Sequence, residues 1–329
     1  MELEKLIDLL EKLGKHLLSE DEEWIRAQDR ALNANAWFTK ESIQLSVKNI
    51  VHQFLNKERL KQWLAGYTLP ISYQKIGIIT AGNIPLVGFH DFLCGLVSGH
   101  TLLLKLSSKD EYLMKHIAHQ LVQWEPSLKE KIIIADTLKE ATAYIATGSN
   151  NSARYFEQYF AKHPNIIRRN RTSVAVLDGT ETKEELQSLA FDIFSYFGLG
   201  CRNVTQICVP KGYSFEPLLE LYAEYKELLN FHKYKNNYDY HLAIYLLNKV
   251  PCFTNEVLLL VENDLPFSAV SVLHYRYYSD KDALLKELNN SNDIQAIVGH
   301  DGIPFGHAQT PQLNDYADGV DTLKFLCEL

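Results

Sequence analysis

The segment Phe197-Gly198-Leu199-Gly200-Cys201-Arg202-Asn203 sets a thiol directly behind a glycine-spaced turn. Glycines let a chain turn tightly and let a ligand approach its backbone. A cysteine presented there, among backbone N–H groups, suits nucleophilic chemistry, because the thiolate is the reactive form and a free thiol titrates near about 8.5. The same spacing also suits a small side chain packed in a turn, and the motif alone leaves both readings open. The other cysteines have apolar settings: Cys94 beside Leu93, Cys208 between Ile207 and Val209, Cys252 next to Pro251, and Cys327 in the apolar tail. In Thr80-Ala81-Gly82-Asn83-Ile84-Pro85, the Asn83 amide could donate to a developing oxyanion, although the same residues make an ordinary turn. Lys105 and Ser107 follow the apolar run Leu102-Leu103-Leu104. Open α/β sheets bind ligands outside the carboxyl ends of their strands, so Lys105 could meet a ribose or phosphate. Thr147-Gly148-Ser149-Asn150 marks a further passage from strand to helix, where unpaired N–H groups favour an anion. Neither G-x-G-x-x-G nor G-x-x-x-x-G-K-[ST] occurs, which excludes an ordinary dinucleotide fingerprint or P-loop.

All of these positions fall where a β-rich run gives way to a helical one, or the reverse. Strands are predicted at Ile76–Thr80, Thr101–Leu106, Ile132–Ile134 and Ala143–Ala146, with helices at Leu86–Ser98, Asp110–Trp124 and through Tyr155 and Phe160. A second series follows, with strand Ser173–Leu177, helix Lys183–Phe197 and strand Thr205–Val209, then strands near Val257–Val261, Ser271–Tyr277 and Ile294–Val298. This alternation predicts parallel sheets covered by helices. Ahead of it, residues 1–68 are helical in pattern. Leu3, Leu6, Leu10, Leu13 and Leu17 form one stripe, and the acidic run Glu20–Glu23 suits a helix start. A longer helix is expected from Thr39 as N-cap to about Gly66.

The chain has 329 residues, about two domains at roughly 150 residues each. With 46% apolar and 22% charged residues, it has the composition of a globular protein with a real core. The net charge of −8 argues against a broad grip on nucleic acid, though not against a local pocket for a small anion. Five cysteines without a C-x-x-C pair point to a reducing compartment. The N-terminus lacks the apolar core of a signal peptide, and no run of about 18 apolar residues occurs. A cytoplasmic protein without a membrane span is therefore expected. His116 and His119 share a helix face, but no third ligand accompanies them and H-E-x-x-H is absent, so no metal site is predicted. Phe231–Lys235 is expected at a surface loop or helix end. Arg168, Arg169 and Arg171 could meet phosphates of a ligand, a solvated cluster being the plainer reading.

Taken in order, Gly82-Asn83-Ile84-Pro85, Lys105 with Ser107, Thr147-Gly148-Ser149 and Gly198-x-Gly200-Cys201 resemble the aldehyde dehydrogenase superfamily. The stretches Phe197–Val204 and Ile303–Thr322 look more closely like the acyl-CoA reductases related to the fatty-acid reductase subunit of bacterial bioluminescence. The resemblance spans roughly residue 70 to the end. It implies an aldehyde-dehydrogenase-like α/β fold with two parallel-sheet domains and a helical N-terminal segment, divided here as 1–172, cofactor-binding, and 173–329, catalytic with the C-terminal tail. It also implies that Cys201 attacks the thioester of an acyl-CoA, for instance a fatty acyl-CoA, and expels CoA. Asn83 and the Cys201 N–H would hold the oxyanion. NADPH, or NADH, would deliver hydride and release the aldehyde. Lys105 and Ser107 would meet the adenosine ribose or its phosphate, Gly148 and Ser149 the pyrophosphate and nicotinamide end, and Glu262 the nicotinamide ribose. A separate acyl-transferase partner and a homo-oligomer are consistent with the analogy. Aldehyde-oxidising relatives carry a glutamate in Glu-Leu-Gly-Gly as the base for hydrolysis. The corresponding stretch here, Arg171–Gly179, has none, and Asp178 is the one acid that could stand in. The alternatives are a non-acylating aldehyde dehydrogenase and a catalytically silent nucleotide-binding scaffold.

Overall fold

In the computed structural model, which describes residues 2–329, the leucine stripe becomes the buried face of α1 (Leu3–Leu17), with Leu6, Ile7, Leu10, Leu13 and Leu17 inside. Asp21 caps α2 (Glu22–Ala34), its carboxylate accepting the N–H groups of Glu23 and Trp24, which accounts for the acidic run. Thr39 caps α3 (Lys40–Asn49) in a reciprocal box with Ser42. The expected single helix from Thr39 to Gly66 is interrupted. Ile50–Phe54 widen into a π-helical turn, and Asn56 starts α4 (Lys57–Leu64) by accepting the Arg59 N–H at 3.0 Å.

The alternating region follows as β1 (Lys75–Ile79), α5 (Phe89–Val97), β2 (Thr101–Lys105), α6 (Glu111–Trp124), β3 (Ile132–Ile134), β4 (Ala143–Thr147), α7 (Asn150–Phe160) and β5 (Asn165–Arg168). Helix α5 begins later than the pattern suggests, because Leu86 takes a left-handed φ of 57° and keeps residues 82–88 in the turn. The strands form one parallel sheet in the order β3-β2-β1-β4-β5. The order reverses between β1 and β4, the place where such sheets bind ligands beyond their carboxyl ends.

A second sheet is built from β6 (Thr172–Val176), β7 (Val204–Pro210), β8 (Cys252–Thr254), β9 (Leu259–Glu262), β10 (Val272–Tyr278) and β11 (Ile294–Val298). Its order is β11-β6-β7-β10-β9-β8, parallel except for the hairpin partner β8. The helices α8 (Lys183–Phe194), α9 (Glu216–Tyr222), α10 (His232–Leu247) and α11 (Lys281–Asn289) connect the strands. Phe231–Lys235 lies at the start of α10. Helix α8 stops short of the predicted Phe197, since Tyr196 and Phe197 both adopt positive φ.

Compact unit one comprises residues up to Asn170 together with Thr310–Leu329, and unit two is Arg171–Gln309. The sequence pattern placed the C-terminal tail with the second half, but the structure groups it with the first sheet. Helix α12 (Thr322–Cys327) buries Leu323 and Leu326 in the same core as Leu10 and Ile76. Trp63 donates to the Tyr316 hydroxyl at 2.9 Å, Arg168 to Thr322 Oγ1 at 2.7 Å, and Gln74 to the Leu329 carbonyl at 2.6 Å. Among the described residues, no helix is long and apolar enough to cross a membrane.

Candidate active site

Cys201 stands half-buried on the turn that joins α8 to β7, at the amino end of the strand. Three consecutive residues, Tyr196, Phe197 and Gly198, take left-handed φ values of 52°, 57° and 76°. For two bulky residues this conformation is strained and must be compensated by tertiary contacts. Phe197 stacks on Phe231 with centroids 4.5 Å apart, which supplies one such contact. Asn203 organises the turn from inside. Its Oδ1 accepts the Gly200 N–H at 2.8 Å, while its Nδ2 donates to the Asp192 and Ser195 carbonyls at 3.0 and 2.7 Å. Ser173, at the start of the neighbouring β6, donates to the Cys201 carbonyl at 3.1 Å. Asn203 was visible in the sequence only as part of the cysteine motif; its fixed polar net is what the structure adds.

Asp192 is the second residue that sequence reasoning missed. Fully buried on α8, its carboxylate accepts the N–H groups of Gly306 and Ala308 at 2.7 and 3.0 Å. It thereby holds the Phe305-Gly306-His307-Ala308 loop. Burial pushes its pKa up to about 6, against the pull of those two donors. The signal was a carboxylate amid Leu189, Ala190, Ile193 and Phe194 on one helix.

In unit one the candidate residues gather along a single edge. Ile79 is level with Lys105 on one side and Ala146 on the other, so the Asn83 turn, Lys105 with Ser107, and Gly148 with Ser149 all follow carboxyl ends of adjacent strands. Asn83 is exposed at the crest of its turn. Asn35 donates to the Gly82 carbonyl at 3.1 Å, Ser46 to the Pro85 carbonyl at 2.7 Å, and the Leu86 N–H to buried Asp110 at 2.7 Å. Burial holds the Asp110 carboxyl well above the usual carboxylate range. A Cβ at Gly82 would lie 2.7 Å from Ser107 Oγ, which is why glycine occupies that position. Ser149 caps α7 by accepting the Ser152 N–H at 3.3 Å, and a Cβ on Gly148 would stand 2.9 Å from Ser152 Cβ.

Other expectations do not fit this grouping. Asp178 lies past the carboxyl end of β6, whereas Cys201 precedes the amino end of β7, and Ser173 is paired with Val204. The two residues are therefore at opposite ends of adjacent strands. Asp178 is instead bonded to Thr180, Lys281 and His300, which hold it well below the usual carboxylate range. Glu262 pairs with Tyr275, itself level with Ile207 inside β7, so the register does not bring it to Cys201. What returns toward β7 is the following loop, where Gln206 donates to the Asn263 carbonyl at 2.9 Å and Thr205 to that of Pro266 at 2.6 Å. The arginine cluster also separates. Arg168 is buried in an ion pair with Asp91, Arg169 pairs with Glu157, and Arg171 donates to the Ile294 carbonyl at 3.1 Å. Arg168 is thus a core residue, neither a solvated charge nor a phosphate contact.

A family model described as acyl-CoA reductase (LuxC) matches residues 1–217. No curated protein matches significantly. Among solved structures, the NAD+ complex of an aldehyde dehydrogenase from Bacillus cereus superposes with a TM-score of 0.65 at 15% identity, over 91% of this chain and 72% of that one. Aldehyde dehydrogenase 21 from Physcomitrella patens, in complex with succinate, gives 0.63 at 14% over 92% and 74%. A Mycobacterium tuberculosis aldehyde dehydrogenase complexed with NAD+ gives 0.64 at 12% over 89% and 72%. The fold is that of the aldehyde dehydrogenases.

Proposed function

The chain belongs to the acyl-CoA reductase (LuxC) family, and from that premise we propose that it reduces an acyl-CoA, a fatty acyl-CoA in particular, to the aldehyde through a thioester on Cys201. The observation that carries the reading is the register around the thiol. The one acid that could replace the missing hydrolytic base, Asp178, belongs to the far end of the neighbouring strand and is tied up in ion pairs. An acyl-enzyme without a base to activate water persists long enough to be reduced.

In this reading the Cys201 thiolate attacks the thioester carbonyl carbon. A new carbon–sulfur bond forms, the bond to CoA breaks, and CoA leaves as its thiolate. The Asn83 amide is assigned, with the Cys201 N–H, to the carbonyl oxygen as charge develops on it. Final collapse breaks the bond to Cys201 Sγ and frees the aldehyde.

A reduced nicotinamide dinucleotide, NADPH in preference to NADH, supplies the hydride when bound. The first unit fits such a group. Its loops sit beyond the carboxyl ends at the point of strand reversal, and the lack of a side chain at Gly148 lets that loop pack directly on Ser152 and Phe156 of α7. Lys105 and Ser107 would hold the adenosine ribose and its phosphate, and Gly148 and Ser149 the pyrophosphate at the start of α7. Glu262 is assigned no role.

Purified protein should consume reduced nicotinamide only when acyl-CoA is supplied, releasing CoA and aldehyde, and Cys201→Ala should show neither turnover nor covalent acylation by mass spectrometry. Oxidation of free aldehyde to acid would establish the non-acylating alternative instead. No turnover with short, medium or long acyl-CoA and either cofactor, despite intact fold, would leave a silent scaffold.

A further inference from the structure

The helical part of unit one gathers a second set of side chains that the reaction does not use. His16 in the last turn of α1, Asp21 at the cap of α2 and His116 on α6 each bring a ligand atom within 4.8 Å of the others. The imidazoles face each other Nε2 to Nε2 at 2.8 Å, their rings stacked with centroids 5.2 Å apart. We propose that His16, His116 and Asp21 form a binding site for a divalent transition-metal ion of the zinc class, clasping three helices together.

The donor set is the first reason. Two imidazoles and a carboxylate are the ligands zinc and its neighbours prefer, and three protein ligands leave a position for water. The spacing is the second. Nitrogens about 2.0–2.1 Å from a tetrahedral zinc stand roughly 3.3 Å apart, so the pair needs to open by only about half an ångström. Without metal a single proton bridges the two facing nitrogens as N–H···N; a metal ion would displace that proton and take both lone pairs in its place.

Neighbouring groups hold the three ligands in orientation. Asp21 Oδ1 accepts the Glu23 and Trp24 N–H groups, both at 3.0 Å, which orients the carboxylate and leaves its other oxygen for the ion. Trp24 leans on His116 at 5.2 Å and is anchored by its indole N–H to the Leu17 carbonyl at 2.9 Å. Trp124 stands edge-on to His16 at 5.4 Å. Lys12, on the turn before His16, extends over the Trp124 ring at 4.1 Å. Sequence spacing pointed to His116 with His119 and found no third ligand; the partner instead comes from α1, 100 positions away.

The test is equilibrium dialysis of metal-free protein against micromolar Zn2+, with elemental analysis and thermal melting, in a Cys201→Ser background so that this thiol contributes no binding. One equivalent of Zn2+ and a higher Tm are expected, both lost in His16→Gln and His116→Gln. Asp21→Asn retains the helix cap, because asparagine caps as well as aspartate, and should fold normally while binding more weakly by at least the roughly tenfold that loss of an indirect partner costs. Binding that is absent, or equal in the parent and all three variants, would overturn the site and leave the imidazoles as a proton-sharing pair.

Discussion

Asn83 and Asp192 illustrate two ways in which a single residue can matter without leaving an obvious trace in sequence. Asn83 is exposed, and the role proposed for it depends on the pinned turn beneath it. If it donates to the oxyanion, Asn83→Ala should lower kcat by about 10²–10³-fold with little change in KM, as loss of one such donor does. Asp192 is buried, and its effect is on stability. Its folded pKa of about 6 exceeds the ordinary 3.8, so the folded state binds the proton more tightly. That contribution is fully present below the unfolded pKa and is lost as pH rises through the folded one. Asp192→Asn does not titrate there. The stability difference between wild type and variant should therefore be most favourable to wild type below the ordinary value of 3.8. It should fall by on the order of 3 kcal/mol by about pH 7, as followed by urea denaturation across that range. Cys201, Asn83, Lys105 and Gly148 were all legible as chemistry-bearing types at element boundaries. Asp192, Asn203 and Asp110 were not, because a buried polar residue shows its purpose only once its partners are in place.

The elements followed their local signals where caps and periodicity agreed. Thr39 and Thr182 both form capping boxes, and the predicted strands fell within a residue or two of their limits, whereas the short edge strands β5 and β8 were not predicted. Those signals failed where tertiary contacts override local preference. The π-helical turn at Ile50–Phe54 keeps apolar residues inward at Ile50 and Phe54, so no break in the pattern announces it. Tyr196 and Phe197 are unfavourable left-handed residues, and the energy that holds them comes from elsewhere in the fold. Asn203 is the main local brace. Asn203→Ala would leave the buried Gly200 N–H and two carbonyls without a side-chain partner. It should destabilise the protein by about 2 kcal/mol or more, and slow acylation of Cys201 in stopped-flow measurement more than it weakens binding of the nucleotide, which unit one is assigned to hold.

For the molecule as a whole, βαβ alternation was sufficient to predict two parallel sheets, but not where the last residues belong. The link is a buried charge. Arg168 on β5 reaches both Asp91 on α5 and Thr322 on α12. A desolvated arginine without its partner is severely unfavourable, so Asp91→Asn should cost about 3–5 kcal/mol in urea denaturation. The apolar pair Asp91→Leu with Arg168→Met should recover much of that loss, because the pair's own net contribution is small. Such a contact cannot be foreseen from pattern, since Arg168 sits in a run of arginines that resembles exposed surface. The tail also carries a temporal implication. Unit two is one uninterrupted stretch of chain, while the first sheet borrows a helix from residues made after it. During synthesis, then, unit two can close on itself while the first sheet still waits for α12. Until that helix emerges, Arg168 lacks Thr322 and the core around Ile76 lacks Leu323 and Leu326, so unit one, begun before unit two, is completed after it.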